Sequence, residues 1–166
     1  MFALTKKTDY AIIALSHMAQ SPDRVCNARE IAERFHVPPA VLTNVLKTLT
    51  QKELARSVRG AKGGYRLALP AERITLEAII QAVEGPVRFV QCASDPATGE
   101  APCDLTDVCP VTRPVQKVHA RLTAFLNAVT LADIAHDPCY GDVSVSVEMG
   151  LLNEHGIRKG IANCDL

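Results

Sequence analysis

Residues 38–69 read PPAVLTNVLKTLTQKELARSVRGAKGGYRLAL, and the pattern of this stretch decides the fold. Its first part predicts a helix over about 38–52, because apolar residues recur three and four positions apart, at Val41, Leu42, Val45, Leu46 and Leu49. Its second part predicts a β-hairpin, with strands at Ala55–Arg59 and Tyr65–Leu69 on either side of a glycine-rich tip. A shorter predicted helix, NAREIAERF (residues 27–35), and a tight connection precede this stretch. A helix, a tight turn, a second helix and a hairpin, in that order, are typical of a winged helix-turn-helix.

The outer faces of the second helix and of the hairpin are polar and cationic. The helix face opposite the apolar stripe carries Thr43, Asn44, Lys47 and Thr48. At or beside the hairpin tip lie Arg56, Arg59, Lys62 and Arg66. Narrow A·T-rich minor grooves attract arginine, which suits Arg59, whereas Lys62 and Arg66 suit phosphate contacts. We therefore predict that the four helix residues, together with Arg59, Lys62 and Arg66, contact DNA.

Charge is divided between the two parts of the 166-residue chain, although the formal net charge is zero. Residues 1–70 hold 11 Lys/Arg against 5 Asp/Glu, and residues 71–166 hold 7 against 13. A basic half favours a polyanionic partner such as double-stranded DNA. No window approaches 18 uncharged apolar residues, and the first ten residues lack an apolar signal core, so we expect a cytoplasmic protein without a membrane span.

Three of the six cysteines, Cys92, Cys103 and Cys109, fall within an 18-residue stretch rich in Pro, Gly and Asp. Three thiols cannot all pair with one another as disulfides, and soft thiolates suit a metal ion or an iron–sulfur cluster. Three protein thiolates also leave a tetrahedral metal one ligand short. The stretch therefore predicts a metal or cluster site that is chemically exposed, as a sensor requires.

A long helix is predicted from about Pro114 to Val129. Its apolar residues recur at spacings of three and four, which gives a stripe wide enough to bury against another helix. The predicted dimer-interface residues are Val115, Val118, Leu122, Phe125, Leu126 and Val129. The alternative is that the stripe packs back onto the chain's own domain.

The predicted fold class is mainly α, with a short β-hairpin wing and a long dimerisation helix. Residues 1–85 form the predicted winged helix-turn-helix domain, and residues 86–113 form a cysteine-rich cluster-binding loop. Residues 114–136 form the dimerisation helix region, and residues 137–166 form a C-terminal tail of unassigned role.

Several segments carry a family resemblance. The start of the chain reads LTKKTDYAI, the recognition helix VPPAVLTNVLKTL and the wing SVRGAKGGYRLALP, and the three cysteines precede a helix that ends NAVTLADI. Over about residues 1–135, these segments resemble the Rrf-two family of winged-helix transcription regulators, which includes the IscR, NsrR and RirA types. The resemblance implies a transcription regulator that binds a palindromic or near-palindromic operator as a homodimer. We expect a repressor and not an enzyme. It also implies one iron–sulfur cluster per subunit.

The resemblance further implies the cluster ligands. Cys92, Cys103 and Cys109 match the family's cluster cysteines. The IscR type has a histidine three residues after the last cysteine, where this chain has Thr112, and the NsrR type instead uses an N-terminal aspartate of the partner subunit. Asp9 stands at the matching place, so we expect it to be the fourth ligand across the dimer, and this match favours a 4Fe–4S over a 2Fe–2S cluster. The alternative for Asp9 is an ordinary charge at a helix N-terminus.

Other functions stay open from the sequence. A regulator without a cluster would use Cys103 and Cys109 as a disulfide switch, and a zinc-stabilised interaction module would not bind DNA at all. An enzyme or electron carrier is not expected, because the sequence has no nucleophile–base pair or phosphate loop, and ferredoxin-like carriers use four cysteines per cluster. The signal, whether nitric oxide, iron or redox state, is not fixed by the sequence.

Overall fold

The computed structural model describes residues 4–60, 63–88, 90, 103–105 and 108–136. The elements are α1 (Lys6–Ala19), α2 (Ala28–Arg34), α3 (Pro39–Gln51), β1 (Ala55–Val58), β2 (Gly64–Leu67), a 3-10 turn (Ala71–Arg73), α4 (Leu76–Glu84), α5 (Thr112–Ala128) and α6 (Leu131–His136). Contacts group residues 1–136 into one unit, and the predicted tail, residues 137–166, lies outside the described residues. None of the described helices has the length and apolar character needed to cross a membrane.

The core forms around α1, which packs against α3, α4 and α6. Its buried residues Ala11, Ala14, Leu15 and Met18 recur at helical spacing and so share one face. The neighbouring elements contribute fully buried side chains, namely Ile31, Leu42, Leu46, Leu49, Ile74, Ile79 and Leu131. Full burial of such an aliphatic side chain stabilises the fold by about 1.5–3 kcal/mol.

Helix α1 begins one turn earlier than its sequence predicts. The pattern favours a helix over residues 9–20 capped by Thr8, but the observed helix starts at Lys6, and the side chain of Thr5 accepts the capping bond from the Lys7 N–H. Thr8 is fully buried instead, and its hydroxyl donates to Glu84 Oε1 at 2.6 Å. The Thr8 hydroxyl, which the local sequence assigns to the N-cap of α1, therefore binds the carboxylate of Glu84, far away in the sequence.

Helices α2 and α3 are joined by the tight connection that the sequence predicts. His36 adopts a left-handed conformation, with φ of 53°, and the N–H of buried Val37 donates to the carbonyl of Ala32 at 3.0 Å. Proline then opens α3. This geometry confirms the helix-turn-helix.

The wing is an antiparallel pair of four-residue strands in which Ala55 faces Leu67 and Val58 faces Gly64. Strand β1 ends one residue before the predicted Arg59, ahead of the turn at Gly60, whose φ is 121°, and β2 spans Gly64–Leu67 instead of the predicted Tyr65–Leu69. Residue 26 adds a third segment to β2, since Cys26 and Tyr65 exchange two backbone hydrogen bonds of 2.8 Å each. A Cβ at position 64 would collide with the carbonyl of Cys26, so glycine is required there.

The sequence predicts a helix over about 76–84 with Thr75 as its N-cap and Gly85 at its end, and α4 confirms it. Thr75 accepts a hydrogen bond from the Ala78 N–H, and Gly85, with φ of 87°, terminates the helix. Backbone hydrogen bonds of 2.8 and 2.7 Å join Leu76 to Val129 and Leu131 to Ile74, which fixes the end of α5 to the start of α4.

The apolar stripe of α5 is divided between the chain's own core and solvent. Leu126 and Val129, at the C-terminal end, are buried within the chain. Val118 and Phe125 are 51% and 38% exposed. The C-terminal end of the stripe therefore packs on the chain's own domain, which was the alternative, and Val118 and Phe125 remain exposed.

A buried histidine connects α1 to α2. His17 is 5% exposed, its Nε2 lies 3.8 Å from Glu30 Oε1, and its ring meets Phe35 edge-on. Neither ring nitrogen has a hydrogen-bond partner among the described residues. Burial, and next the charge of Arg34, lower the pKa of His17, so the imidazole is neutral in the folded protein at pH 7. The Glu30 carboxylate only partly opposes this, since it also pairs with Arg24 at 3.0 Å.

The free energy of unfolding should therefore fall as the pH drops through the ordinary histidine pKa of about 6.5, because the unfolded chain binds a proton that folded His17 resists. We expect His17→Gln to lose less stability than the wild type between pH 7.5 and pH 5.5. Urea unfolding at several pH values measures this difference, and the other histidines are common to both proteins. Equal pH slopes for the two proteins would contradict the prediction.

Candidate functional site

The exposed face of α3 carries the four predicted contact residues. Asn44 and Lys47 are exposed, and Thr43 and Thr48 are half-buried. The Thr43 hydroxyl donates to the carbonyl of Pro39 at 2.8 Å, and the Thr48 hydroxyl donates to that of Asn44 at 3.1 Å. These local bonds use the hydroxyl protons and leave the oxygens as acceptors. The face thus offers an amide, an ammonium and two hydroxyl acceptors.

The wing carries its arginines on the exposed surface. Arg59 is exposed beside Gly60, where the strand ends. Arg66 is exposed on β2 directly opposite Arg56 of β1, and the Arg56 Nη2 donates to the carbonyl of Ala68 at 2.8 Å. Like charges directly opposite each other destabilise a hairpin unless an anion offsets them. Lys62, predicted to contact phosphate, lies outside the described residues.

The sequence places Arg56 near the hairpin tip without assigning it a contact. The strand register shows that Arg56 and Arg66 form one cross-strand pair on the outward face. The alternation of side chains along each strand could have predicted this pair, but the register of the two strands depends on the length of the turn, which the sequence did not show.

Two of the three cysteines of the predicted cluster site are described. Cys103 and Cys109 are half-buried and form no disulfide with a described residue, and Cys109 lies three residues before α5. Cys92 lies outside the described residues. No three His, Cys, Asp or Glu side chains within the described ranges are close enough together to hold a metal ion.

The surroundings of Cys109 favour its thiolate. A hydrogen bond from the Thr112 hydroxyl, followed by bonds from the backbone N–H groups of Val111 and Thr112, lowers the pKa of Cys109. Thiolate is the form that ligates metal. Sequence reasoning treated Thr112 only as a missing histidine and missed this hydroxyl.

The buried thiol of Cys26 is different. Burial, and next the charge of Glu30, raise the pKa of Cys26, which suits an inert core residue. Cys139 and Cys164 lie outside the described residues.

Asp9, the expected fourth ligand, lies exposed in the first turn of α1. Its carboxylate makes no hydrogen bond or ion pair with the described residues. The turn that carries it is held by Glu84, whose Oε1 accepts bonds from the Thr5 N–H at 3.1 Å, from the Thr8 hydroxyl at 2.6 Å and from the Thr5 hydroxyl at 2.5 Å. These bonds fasten the start of α1 to the end of α4, immediately before the cysteine segment.

The predicted interface residues lie along α5 and its end. Val115 and Leu122 are half-buried, in addition to exposed Val118 and Phe125. His119, on the same helix, is half-buried, and its Nδ1 has no hydrogen-bond partner among the described residues.

Comparison with known proteins gives a consistent result. Residues 4–137 match the family model Rrf2, which is described as an iron-dependent transcriptional regulator. A Haemophilus influenzae protein described as an HTH-type transcriptional regulator is 31% identical over 134 residues, which cover 80% of this chain and 86% of that protein.

Solved structures agree. IscR of T. potens is similar, with a TM-score of 0.62, 28% identity and coverage of 82% of this chain and 88% of that one. The oxidized form of Staphylococcus aureus CymR is also similar, with a TM-score of 0.60, 26% identity and coverage of 82% and 98%. Both likenesses support the winged-helix architecture.

The hydrogen bonds to Glu84 give a stability prediction. They lower the pKa of Glu84, so its stabilising effect is present above the ordinary glutamate pKa and is lost as the pH falls through that region. Glu84→Gln should reduce the free energy of unfolding by about 1 kcal/mol at pH 7, because an exposed charged acceptor becomes a neutral one. Urea unfolding at pH 7 and pH 3.5 tests this.

The matched control is Glu72→Gln, which removes an exposed carboxylate for which the structure shows no hydrogen bond. The difference in the free energy of unfolding between the wild type and Glu84→Gln should disappear at acid pH. If this difference in unfolding free energy persists at pH 3.5, the hydrogen bonds to Glu84 do not stabilise the fold as proposed. The same holds if Glu72→Gln and Glu84→Gln lose equal stability.

Proposed function

This chain belongs to the Rrf2 family of transcriptional regulators, and we propose that it is a DNA-binding homodimer, a repressor, whose operator affinity depends on an iron–sulfur cluster. One observation supports the proposal most directly. In the sequence, the cysteine-rich stretch that ends at Cys109 is followed by α5, and the far end of α5 packs against the winged helix-turn-helix domain. Cys109 lies at one end of α5, and buried Leu126 and Val129 lie at the other. A structural change at the cysteines would therefore be transmitted along α5 to the DNA-binding domain.

The proposed ligands are Cys92, Cys103 and Cys109, with Asp9 of the partner subunit as the fourth. Cys103 and Cys109 are half-buried and form no disulfide with a described residue, which fits this role, and the lowered pKa of Cys109 favours its thiolate. The description of the family as iron-dependent favours iron over zinc. The cluster, 4Fe–4S in this proposal, would supply iron that is open to nitric oxide, oxidants or loss of iron.

The proposed DNA contacts use both exposed surfaces. Asn44, Lys47 and the hydroxyl oxygens of Thr43 and Thr48 would meet a major groove, and Arg59 would enter the adjacent minor groove. Arg56, Arg66 and Lys62 would bind phosphates, and a phosphate near Arg56 and Arg66 would offset their mutual repulsion. Two copies of α3 in a two-fold dimer require a palindromic or near-palindromic operator with half-sites about one turn apart.

The proposed partner of the exposed apolar residues on α5 is the same helix of a second subunit. Val118 and Phe125 are exposed although large and apolar; Phe125 is adjacent in sequence to buried Leu126, and Val118 lies about two turns before it. Because α5 packs on α4, and α4 packs on α1 and α3, a shift of α5 would alter the spacing of the two recognition helices. A coupling of about 1–3 kcal/mol would change operator affinity roughly 5- to 150-fold.

The experiment that tests the cluster is the absorption spectrum of protein purified without oxygen, with iron and sulfide counts. We expect a brown protein with matching iron and sulfide, and operator affinities for cluster-loaded and cluster-free protein that differ roughly 5- to 150-fold. Cys109→Ala should abolish the visible band, whereas the control Cys26→Ala should keep it, because Cys26 is a core residue outside the segment.

Equal operator affinity with and without the cluster would contradict the control mechanism. A colourless protein with one zinc per chain and no DNA binding would instead indicate an interaction module.

A thiol switch is the second candidate, favoured by the likeness to a CymR structure described as an oxidized form. Cys103 and Cys109, neither of which forms a disulfide with a described residue, would be the redox pair. This function predicts a colourless protein whose operator affinity changes with dithiothreitol and stays constant with iron and sulfide.

The wing gives a separate prediction. Arg59→Ala should weaken binding most for duplexes with A·T-rich flanks, because a narrow minor groove attracts arginine there. Fluorescence anisotropy with duplexes selected by the wild type, with A·T- or G·C-rich flanks, measures this. The control is Arg73→Ala, which removes an exposed arginine of the 3-10 turn. A uniform loss across all sequences would reassign Arg59 to phosphate contact.

A further inference from the structure

Asn44 lies in the middle of the exposed face of α3. It is exposed, and its side-chain amide makes no hydrogen bond with the described residues. Leu42 and Leu46, two positions before and after it, are fully buried and lie nearly opposite Asn44 around the helix. Packing of these leucines into the core therefore holds residue 44 on the outer side. An asparagine side chain is short, so the position of the helix determines where its amide lies.

The other polar groups on this face are more limited in what they can recognise. The hydroxyl protons of Thr43 and Thr48 are used in bonds of 2.8 and 3.1 Å to backbone carbonyls, so each threonine offers DNA only an acceptor. Lys47 has donors but no acceptor, and α3 contains no Asp, Glu, Arg or His. A second exposed amide, Gln51, lies at the last residue of the helix, whereas base edges are usually contacted from the N-terminal part of a recognition helix. Asn44 is therefore the residue nearest the start of α3 that offers a donor and an acceptor side by side.

The bases differ in the groups that they present in the major groove. Adenine presents the acceptor N7 beside the N6 amino donor, guanine presents two acceptors, cytosine presents a donor, and thymine presents an acceptor and a methyl group. The asparagine amide has one donor group and one acceptor. It therefore forms a complete pair of hydrogen bonds with adenine and leaves a group unmatched on each of the other bases.

We propose that Asn44 is the specificity-determining residue of α3 and that it requires an A·T pair, read through adenine, in each half-site of the operator. This inference rests on the proposed function, because it names the base pair that the proposed DNA-binding face would read, but it needs no cluster. Lys47 would add affinity, and Thr43 and Thr48 would discriminate less between bases, because each offers one acceptor and a methyl group.

The test uses the full-length protein and double-stranded DNA. The wild type first selects duplexes from a random-sequence pool. Fluorescence anisotropy at low salt, where weakened complexes stay measurable, then gives the Kd for the selected duplex with one adenine of one half-site changed at a time. Each A·T pair is replaced by G·C, and each adenine by 7-deazaadenine, which lacks the N7 acceptor but still pairs with thymine.

Four proteins are compared: the wild type, Asn44→Ala, Asn44→Asp and Gln51→Ala. Aspartate keeps the shape and the acceptor of asparagine but has no donor for N7. Gln51→Ala is the matched control, since it removes an exposed amide from the same face of the same helix, about two turns further along. Circular dichroism checks that each protein is folded.

We expect one adenine in each half-site at which replacement by G·C weakens wild-type binding roughly 5- to 150-fold, the discrimination typical of a two-bond contact. At the same position, 7-deazaadenine should weaken binding by a smaller factor, because only one of the two bonds is lost. Asn44→Ala should remove both effects at that position and at no other. Asn44→Asp should be insensitive to 7-deazaadenine there, and Gln51→Ala should retain both effects.

Two results would overturn the inference while leaving the proposed function intact. In the first, Asn44→Ala weakens binding to all duplexes by the same factor, or not at all, and Asn44 is then a phosphate contact or no contact. In the second, the base pair whose discrimination depends on Asn44 is not A·T. A wild type that binds every duplex with the same affinity would instead refute the proposed operator binding together with this inference, which distinguishes the two failures.

Discussion

The burial of one face of α1 is the constraint on which the other elements depend. Ala11 and Ala14 are small and fully buried, so α3, α4 and α6 approach this helix closely, and Leu15 and Met18 fill the space between them. The same helix is fastened at its start by Thr5 and Thr8 to Glu84. The recognition helix, the turn that carries Asp9 and the end of α4 therefore belong to one packed body.

Helix α5 joins this body to the cysteine segment. Its C-terminal end is fixed by burial and by backbone bonds to the start of α4, whereas large apolar residues are exposed along its middle. Its N-terminal end begins three residues after Cys109, and the N-cap residue Val111 makes no side-chain capping bond. A helix fixed at one end, with a predicted cluster cysteine just before the other, is suited to transmit a change at that cysteine, and this is the physical basis of the proposed regulation.

Much of the site could be predicted from sequence, because it depends on short-range patterns. The stripe in α3 placed Asn44 and Lys47 on the exposed face, and Gly60 fixed the position of the wing tip and hence of Arg59. Partners distant in sequence were missed. Thr8 fits the N-cap of α1, but its hydroxyl donates to Glu84, 76 residues away in the chain. The position of Cys92 and the role of Asp9 across a dimer stay predictions.

The sequence by itself determined the winged helix-turn-helix, since helical periodicity, caps and turns act over about four residues and leave their pattern in the letters. Only the tertiary structure decided which hydroxyl serves which acceptor and which end of α5 is buried. Thr5 and Glu84 are 79 residues apart in the chain, so no local pattern records their hydrogen bond. Packing brings such groups together, and the loss of water around them makes each partner's identity matter.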